Sequence, residues 1–167
     1  MPPTDAELLD LAERVGTACR SRNLTLATAE SCTAGFVAHL VTEIAGSSDY
    51  FRGGLVTYAD DVKESLAGVS PDVLRAHGAV SAQVALAMAE GARTSLRADL
   101  AVAITGIAGP GGGSTEKPVG LTYVAVADGR GGDVRRFIWT LDRSGNKRAS
   151  ADAALSFVLD RLETEPT

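Results

Sequence analysis

Apolar residues near the start of the chain recur every three or four positions, the period of an amphipathic helix. Thr4 and Glu7 have the spacing of an N-terminal capping box, and the apolar positions after them predict a first helix to about Arg20. Similar signals predict five more helices: FVAHLVTEIA ending at Gly46, residues 60–66, a helix starting at Ser70-Pro71, residues 81–96 and residues 149–162.

Short β-leaning segments between these helices predict the strands of a sheet. The run DLAVAIT at residues 99–105 is almost wholly apolar, as expected of a strand buried on both faces. The segment DGRGG at residues 128–132 lies between two alternating segments and is a hairpin signal. The predicted strands are residues 24–28, 51–58, 99–105, 119–127 and 134–141. Early alternation of helices with strands and a late hairpin predict an α/β fold, a three-layer α/β/α sandwich with a mixed sheet.

Composition limits the classes of protein to consider. With 167 residues, 45% hydrophobic, the chain fits a single domain over residues 1–167 with a core over about 5–162. A net charge of -5 argues against direct nucleic-acid binding through a broad basic surface. Two cysteines give no disulfide framework, and the sequence shows neither a secretion signal nor an apolar run of about 18 residues. We therefore expect a soluble cytoplasmic protein without a membrane partner.

Ser31 lies in the segment TAESCTAG, at a predicted junction between a strand and a helix. Backbone N–H groups at such a junction can stabilise an oxyanion or bind an anion, although a serine there can also be a simple helix N-cap. Cys32 is a rival nucleophile without an evident activating partner, because His39 and His77 lie in a helix pattern and a connector. Ser31 is thus a candidate nucleophile in need of a base.

Lys63 is a candidate base, since burial or nearby cations can lower the pKa of a lysine toward neutrality. It follows Tyr58 by five residues across a predicted strand-to-helix turn, so both side chains are expected at one pocket. The alternative is a solvated lysine with Asp60 and Glu64 as local partners.

Two further segments have the composition of ligand sites. Residues 105–114 (TGIAGPGGGS) form a glycine-rich loop after a buried strand, where backbone N–H groups can converge on an anion, although a flexible surface loop is the alternative. The loop lacks the spacing of a Walker A or dinucleotide motif. Arg143, Lys147 and Arg148 precede the last predicted helix; one of them is a candidate for a 5′-phosphate, and an exposed basic helix start is the alternative.

Four motifs, in this order, resemble those of the CinA C-terminal domain family. They are TAESCTAG, the segment YADDVK at residues 58–63, HGAVS, and TGIAGPGGG followed by KPVGLTYVAVA. The resemblance covers about residues 5–162, and ordered motifs are more specific than any one alone. The family includes bacterial nicotinamide-nucleotide amidohydrolases of the serine/lysine type, which act on nicotinamide mononucleotide without a metal or cofactor.

The resemblance implies that Ser31 is the nucleophile, that Lys63 is its general base, and that Tyr58 positions the lysine or the substrate. The substrate would be a small nucleotide, and the product nicotinic acid mononucleotide would enter pyridine nucleotide salvage. No metal ligands are expected, since the sequence shows no cluster typical of a metal site. The residues implied to line the substrate site are Glu30, Cys32, Thr33, Thr105, Gly106, Gly109, Gly111, Gly112 and Arg143.

The chain departs from the family pattern at three positions. Asp60 stands where asparagine is usual, Ala34 where a second glycine is usual, and Leu141 where glycine is usual. A carboxylate at position 60 is expected to alter the pKa of the lysine. Two other functions remain open: hydrolysis of another small amide, and a non-catalytic interaction module related to competence or DNA damage. A homo-oligomer, most simply a dimer, is expected.

Overall fold

The computed structural model describes residues 1–164, which form six α-helices around a five-stranded sheet. No helix in this range has the length and apolarity needed to cross a membrane. The helices are α1 (Asp5–Arg22), α2 (Phe36–Thr42), α3 (Asp60–Ala67), α4 (Pro71–His77), α5 (Ala82–Ser95) and α6 (Arg143–Glu163). The strands are β1 (Leu26–Glu30), β2 (Phe51–Val56), β3 (Leu100–Gly106), β4 (Leu121–Asp128) and β5 (Gly131–Ile138), with one 3₁₀ turn at Ser47–Asp49.

The sheet has the strand order β2-β1-β3-β4-β5. Strands β2, β1 and β3 are parallel, whereas β4 and β5 are antiparallel to their neighbours, so the sheet is mixed. Helices α1, α2 and α6 pack on one face, and α3, α4 and α5 form the layer on the other. The predicted three-layer α/β/α sandwich is confirmed.

The two faces of the sheet differ in side-chain size. Leu100, Val102 and Ile104 of β3 point toward the layer of α1, α2 and α6, while Ala101 and Ala103 point toward α5. The same alternation of large and small residues continues on β4. Because successive side chains of a strand point to opposite faces, this pattern lets α5 pack closely on an alanine surface.

Helix α3 also packs closely against α5. A Cβ atom added at Gly91 of α5 would lie 1.7 Å from the carbonyl oxygen of Ala67, the last residue of α3. Only glycine permits this approach without movement of the backbone. The contact holds the helix that carries Lys63 against the core.

Three predicted helix starts are confirmed by their side-chain caps. The Thr4 side chain accepts a hydrogen bond from the backbone N–H of Glu7, and the Glu7 carboxylate accepts one from the backbone N–H of Thr4, which completes the capping box. The hydroxyls of Ser70 and Ser81 cap α4 and α5. Strands β4 and β5 form the predicted hairpin.

Several predicted boundaries were wrong. Strand β5 spans Gly131–Ile138 instead of residues 134–141, and β2 ends at Val56 instead of residue 58. Helix α6 begins at Arg143 and not at residue 149, because the Asp142 carboxylate accepts a hydrogen bond from the backbone N–H of Gly145 and caps the helix earlier. Helix α2 ends at Thr42 instead of continuing to Gly46. Strand β1 spans 26–30 instead of 24–28, and its extension to Glu30 brings it to the residue before Ser31.

Candidate active site

The carboxyl ends of the parallel strands bring the candidate residues to one edge of the sheet. Ser31 directly follows β1, Thr57 directly follows β2, and Thr105 is near the end of β3. Such an edge is the usual ligand site of open α/β sheets. Helix α3 starts at the same edge and carries Lys63 back toward Ser31.

Ser31 and Lys63 are in contact. The Lys63 Nζ lies 3.2 Å from the Ser31 Oγ, 2.9 Å from the carbonyl oxygen of Thr57 and 3.1 Å from that of Tyr58. Carbonyl oxygens only accept hydrogen bonds, so they take two N–H groups of the lysine. A neutral amine has two N–H groups and one lone pair, and in this geometry the lone pair is left for the hydroxyl proton of Ser31.

The surroundings of Lys63 favour the neutral amine. Its side chain is 1% exposed, and burial lowers its pKa from the ordinary value of 10.5. The Asp60 carboxylate, 3.8 Å from Nζ and 67% exposed, raises the pKa in part. The interpretation of Lys63 as a solvated lysine was wrong, although Asp60 is its partner as that interpretation expected.

Ser31 is not a helix N-cap. Helix α2 begins at Phe36 with Gly35 as its N-cap, so that interpretation was wrong. Ser31 is 8% exposed, its own N–H donates to the carbonyl oxygen of Ile104, and its hydroxyl faces the lysine. The loop therefore presents the serine to Lys63.

Cys32 is buried next to Ser31, and burial raises the pKa of its thiol to about 11. The thiol is therefore protonated at neutral pH and is a weak nucleophile. In the described part of the chain, the backbone N–H groups of Cys32 and Thr33 donate a hydrogen bond to no other residue. They are the donors nearest in sequence to Ser31 that remain available for an oxyanion.

Glu30 was predicted to contact substrate, but the structure gives its carboxylate a different position. The side chain is 1% exposed and accepts hydrogen bonds from the backbone N–H groups of Gly35, Val37 and Ala38. These are the N–H groups of the first turn of α2, which has no side-chain cap at Gly35. Glu30 thus fixes the loop that carries Ser31, and its buried carboxylate is not accessible to a ligand.

Tyr58 contacts Lys63 through its backbone carbonyl, while its phenol points elsewhere. The ring is 58% exposed, and its hydroxyl lies 3.3 Å from an Nη atom of Arg143. Another Nη atom of Arg143 donates to the carbonyl oxygen of Gly109 at 2.6 Å. Arg143 therefore bridges Tyr58 and the glycine-rich loop at the open side of the site.

Thr105 and the glycines of the loop have different roles. The buried Thr105 hydroxyl donates to the carbonyl oxygen of Ala79 at 2.7 Å, which fixes the connector before α5 rather than facing a ligand. A Cβ atom at Gly106 would meet the Cys32 Sγ at 3.2 Å, and one at Gly109 would meet Val119 at 2.5 Å. Gly111 and Gly112 are exposed at the loop tip.

A cavity of about 1070 Å³ adjoins the Ser31 loop. Residues 33–36 form one wall, residues of the glycine-rich loop and Val119 form a second, and the start of α6 forms a third. Ser31, Lys63 and Tyr58 are not in its lining, whereas Thr33 and Ala34 of the Ser31 loop are. The volume is that of a site for a small organic ligand.

No group of three or more histidine, cysteine, aspartate or glutamate side chains in residues 1–164 is arranged to hold a metal ion. Sequence reasoning missed the role of Glu30, the loop contact of Arg143 and the two carbonyl groups at Lys63. The Arg143 contact joins residues 34 apart in the chain, and the Glu30 and Lys63 contacts involve backbone groups, which carry no side-chain signature.

Comparison with known proteins gives consistent results. The sequence model of the CinA C-terminal domain matches residues 8–162. A protein from Escherichia coli K12 named nicotinamide-nucleotide amidohydrolase PncC is 50% identical over 153 residues, which is 91% of this chain and 93% of that protein. A relative from Moorella thermoacetica is 52% identical over 97% of this chain, but the chain spans 39% of that longer protein.

A solved structure supports the same relationship. The competence/damage inducible protein CihA from Agrobacterium tumefaciens superposes with a TM-score of 0.89 at 43% identity, covering 98% of this chain and 99% of that one.

Proposed function

Since the chain belongs to the CinA C-terminal domain family, we propose that it is a nicotinamide-nucleotide amidohydrolase that converts nicotinamide mononucleotide to nicotinic acid mononucleotide and ammonia. Identity of 50% over nearly the whole length of the Escherichia coli amidohydrolase supports this activity. The observation that carries the mechanism is the distance of 3.2 Å between the Lys63 Nζ and the Ser31 Oγ.

The first half of the reaction forms an acyl-enzyme. Neutral Lys63 accepts the hydroxyl proton of Ser31 while the Ser31 Oγ attacks the carboxamide carbon of the substrate. The carbonyl electron pair moves to oxygen, and the N–H groups of Cys32 and Thr33 stabilise that oxyanion. When the tetrahedral intermediate collapses, the C–N bond breaks and the Lys63 ammonium donates its proton to the departing nitrogen, which leaves as ammonia.

The second half hydrolyses the acyl-enzyme. Lys63, neutral again, takes a proton from a water molecule that attacks the ester carbon. The bond to the Ser31 Oγ breaks, the serine recovers a proton from Lys63, and the carboxylic acid formed loses its proton to solvent and leaves as the carboxylate. Glu30 acts in both halves by holding the loop of residues 31–35 in place.

The test is ammonia release from nicotinamide mononucleotide by wild type, Ser31→Ala and Cys32→Ala. We expect Ser31→Ala to lose at least about 10³-fold in kcat/KM, since loss of a nucleophile removes the covalent route. Cys32→Ala is the matched control in the same loop and should keep most of the activity. The reverse result for the two variants would assign the nucleophile to Cys32.

Wild type that releases no ammonia from nicotinamide mononucleotide would contradict the proposed activity. A panel of other small amides would then separate the remaining functions. Release from a different amide, lost in Ser31→Ala, would indicate another substrate for the same pair of residues. No release from any amide would favour a non-catalytic interaction module.

Several sequence-based expectations stay predictions. They are a single domain over residues 1–167, a homo-oligomer such as a dimer, a cytoplasmic location, a role in pyridine nucleotide salvage, and no direct nucleic-acid or membrane partner. Sedimentation of the purified protein would give the oligomeric state.

A further inference from the structure

A second cavity, of about 520 Å³, lies at the end of the sheet opposite to Ser31. The start of β3, the turn between β4 and β5, and the last turns of α1, α5 and α6 surround it. Its volume is within the range of sites for small organic ligands. The charged residues of its wall are Arg22, Arg93, Arg130, Arg161, Asp99 and Asp128.

Three of the four arginines hold the end of α6 in place. Arg130 and Arg161 both form ion pairs with the Asp128 carboxylate, at 2.7 and 2.8 Å. Arg130 also donates to two carbonyl oxygens in the last residues of the helix, and Arg22 donates to a third, that of Leu162. The carbonyl groups at a helix C-terminus and an unpaired aspartate would repel an anion. These contacts remove most of that repulsion.

Arg93, in the last turn of α5, differs from these arginines. Within residues 1–164 its guanidinium forms neither a hydrogen bond nor an ion pair with another residue, and its Nε is buried without an acceptor. The side chain is half-buried and lines the cavity. Buried N–H groups are nearly always paired in folded proteins, because an unpaired one has lost its bonds to water. Arg93 therefore has donors to offer to a ligand in the cavity.

The rest of the wall suits an uncharged group. Leu24, Leu100 and Leu162 contribute apolar surface to the cavity. Asp99 is exposed, and its carboxylate accepts hydrogen bonds from the backbone N–H and the hydroxyl of Thr25, both at 2.8 Å. An exposed carboxylate is well screened by water, so it reduces the positive potential of the arginines without cancelling it. A ligand with one anionic group and an apolar body fits these walls.

We propose that this cavity binds a small organic anion. Its phosphate or carboxylate group accepts hydrogen bonds from Arg93, and its apolar body lies against Leu24, Leu100 and Leu162. A planar guanidinium can donate two parallel N–H bonds to either kind of anionic group. The site is separate from the contact between Ser31 and Lys63, and it does not depend on the proposed amidohydrolase activity.

The test is a titration of the isotope-labelled protein with phenyl phosphate, followed by NMR spectroscopy. The backbone amides of Gly129 and Gly131 report on the cavity, because Gly129 lines it and the carbonyl group of Gly131 accepts a hydrogen bond from Arg161. We expect the signals of both amides to shift and to saturate. Binding of the same probe near Ser31 would instead shift amides of residues 33–36, so the two sites are distinguished.

Two further probes identify the chemistry. Benzoate presents a carboxylate on the same ring, and the tighter binder of the two anions identifies the preferred group. Benzyl alcohol has the ring without the charge and should leave the amides of Gly129 and Gly131 in place.

Arg93→Met should weaken binding of the tighter anion at least about ten-fold, because it removes charge-assisted hydrogen bonds while keeping a long apolar side chain. Arg136→Met, which removes a cation from the exposed part of β5, is the matched control for net charge and should leave binding unchanged. Asp99→Asn keeps an acceptor for Thr25 but removes a negative charge from the wall. It should tighten binding about two- to five-fold, which tests the site without altering Arg93.

The proposal is overturned if neither anion shifts the amides of Gly129 and Gly131. It is also overturned if Arg93→Met binds as tightly as wild type, or if benzyl alcohol binds as tightly as the anions, since the cation would then have no role. Binding that requires both the charge of the probe and Arg93 supports it. None of these results bears on ammonia release, so the proposed function stands or fails separately.

Discussion

Each end of the sheet contains a buried or nearly buried cation, but the partners of the two cations differ. At the carboxyl end of the parallel strands, Lys63 donates to two carbonyl groups and faces a hydroxyl. At the other end, Arg161 makes two hydrogen bonds to the Asp128 carboxylate, at 2.8 and 2.9 Å, with both side chains 13% exposed. The hydrogen-bond partners of Lys63 are neutral and its one nearby carboxylate, Asp60, is exposed, whereas Arg161 has a counterion that is nearly buried.

The consequences for protonation follow from these partners. Burial lowers the pKa of Lys63, with partial compensation from the exposed Asp60. The hydrogen bonds from Arg161 hold the pKa of Asp128 below its ordinary value of 3.8, and Asp128 in turn raises the pKa of Arg161. A buried cation without a buried counterion is available for proton transfer, while a paired cation contributes to stability.

The largest effect is expected from Lys63→Met. Loss of the base should lower kcat/KM for ammonia release at least about 10³-fold. The unfolding temperature should stay within about 4 °C of wild type, since Lys63 is not part of a buried ion pair and a shift of that size corresponds to about 1 kcal/mol. An inactive variant that also fails to fold would contradict the idea that Lys63 serves proton transfer while the Arg161–Asp128 pair serves stability.

At the other end of the sheet, Asp128→Asn should lower stability and leave activity nearly unchanged. It removes the carboxylate shared by Arg161 and Arg130 and leaves Arg161 only the more exposed Asp133, so the free energy of unfolding at pH 7 should fall by about 2 kcal/mol, while kcat/KM changes less than about two-fold. Denaturant unfolding and ammonia release measure the two quantities.

The pH dependence of stability sharpens this prediction. Because the folded pKa of Asp128 lies below 3.8, the stability from its ion pair is complete above that pH and is lost as the pH falls below it. Asp128→Asn should therefore reduce the loss of stability in acid. An unchanged acid limb would mean that other carboxyl groups dominate it.

Asp60→Asn tests the single carboxylate near Lys63. Asp60 raises the pKa of Lys63, so its removal should lower that pKa and shift the rising limb of the profile of kcat/KM against pH to lower pH. At neutral pH the rate should increase by up to about five-fold, the value of an exposed ion pair near 4 Å. Asp61→Asn, in the same helical turn and with the same change in charge, is the control and should leave the limb in place.

The smallest effect is expected from Ala34→Gly. Ala34 has a φ of 51°, in the left-handed region that costs an alanine about 1 kcal/mol or more. Glycine removes that strain but adds entropy to the unfolded chain, so we expect a gain of about 0.5 kcal/mol in the free energy of unfolding. Arg97→Gly, at a φ of 52° near the other end, is the matched comparison. Loss of stability in Ala34→Gly would show that the Ser31 loop is not strained.

The sequence predicted the elements better than the contacts between them. Periodicity and caps located α1, α4, α5 and the hairpin, because these signals lie within a few neighbouring residues. The start of α6 was missed because the regular apolar positions begin only near residue 149, whereas the Asp142 cap starts the helix at Arg143. Ser31 and Lys63 were predicted as site residues. Glu30 and Thr105 were predicted to contact substrate, but their side chains form hydrogen bonds with backbone groups of the protein instead.

The sequence by itself determined the alternation of large and small residues that gives the sheet its two faces, the caps of the main helices, and the residue types of the candidate site. Only the tertiary structure decided that Ser31 and Lys63 touch and that two backbone carbonyl groups accept hydrogen bonds from the lysine. Local patterns are fixed by neighbouring residues, whereas burial and the pairing of charges depend on groups distant in the chain.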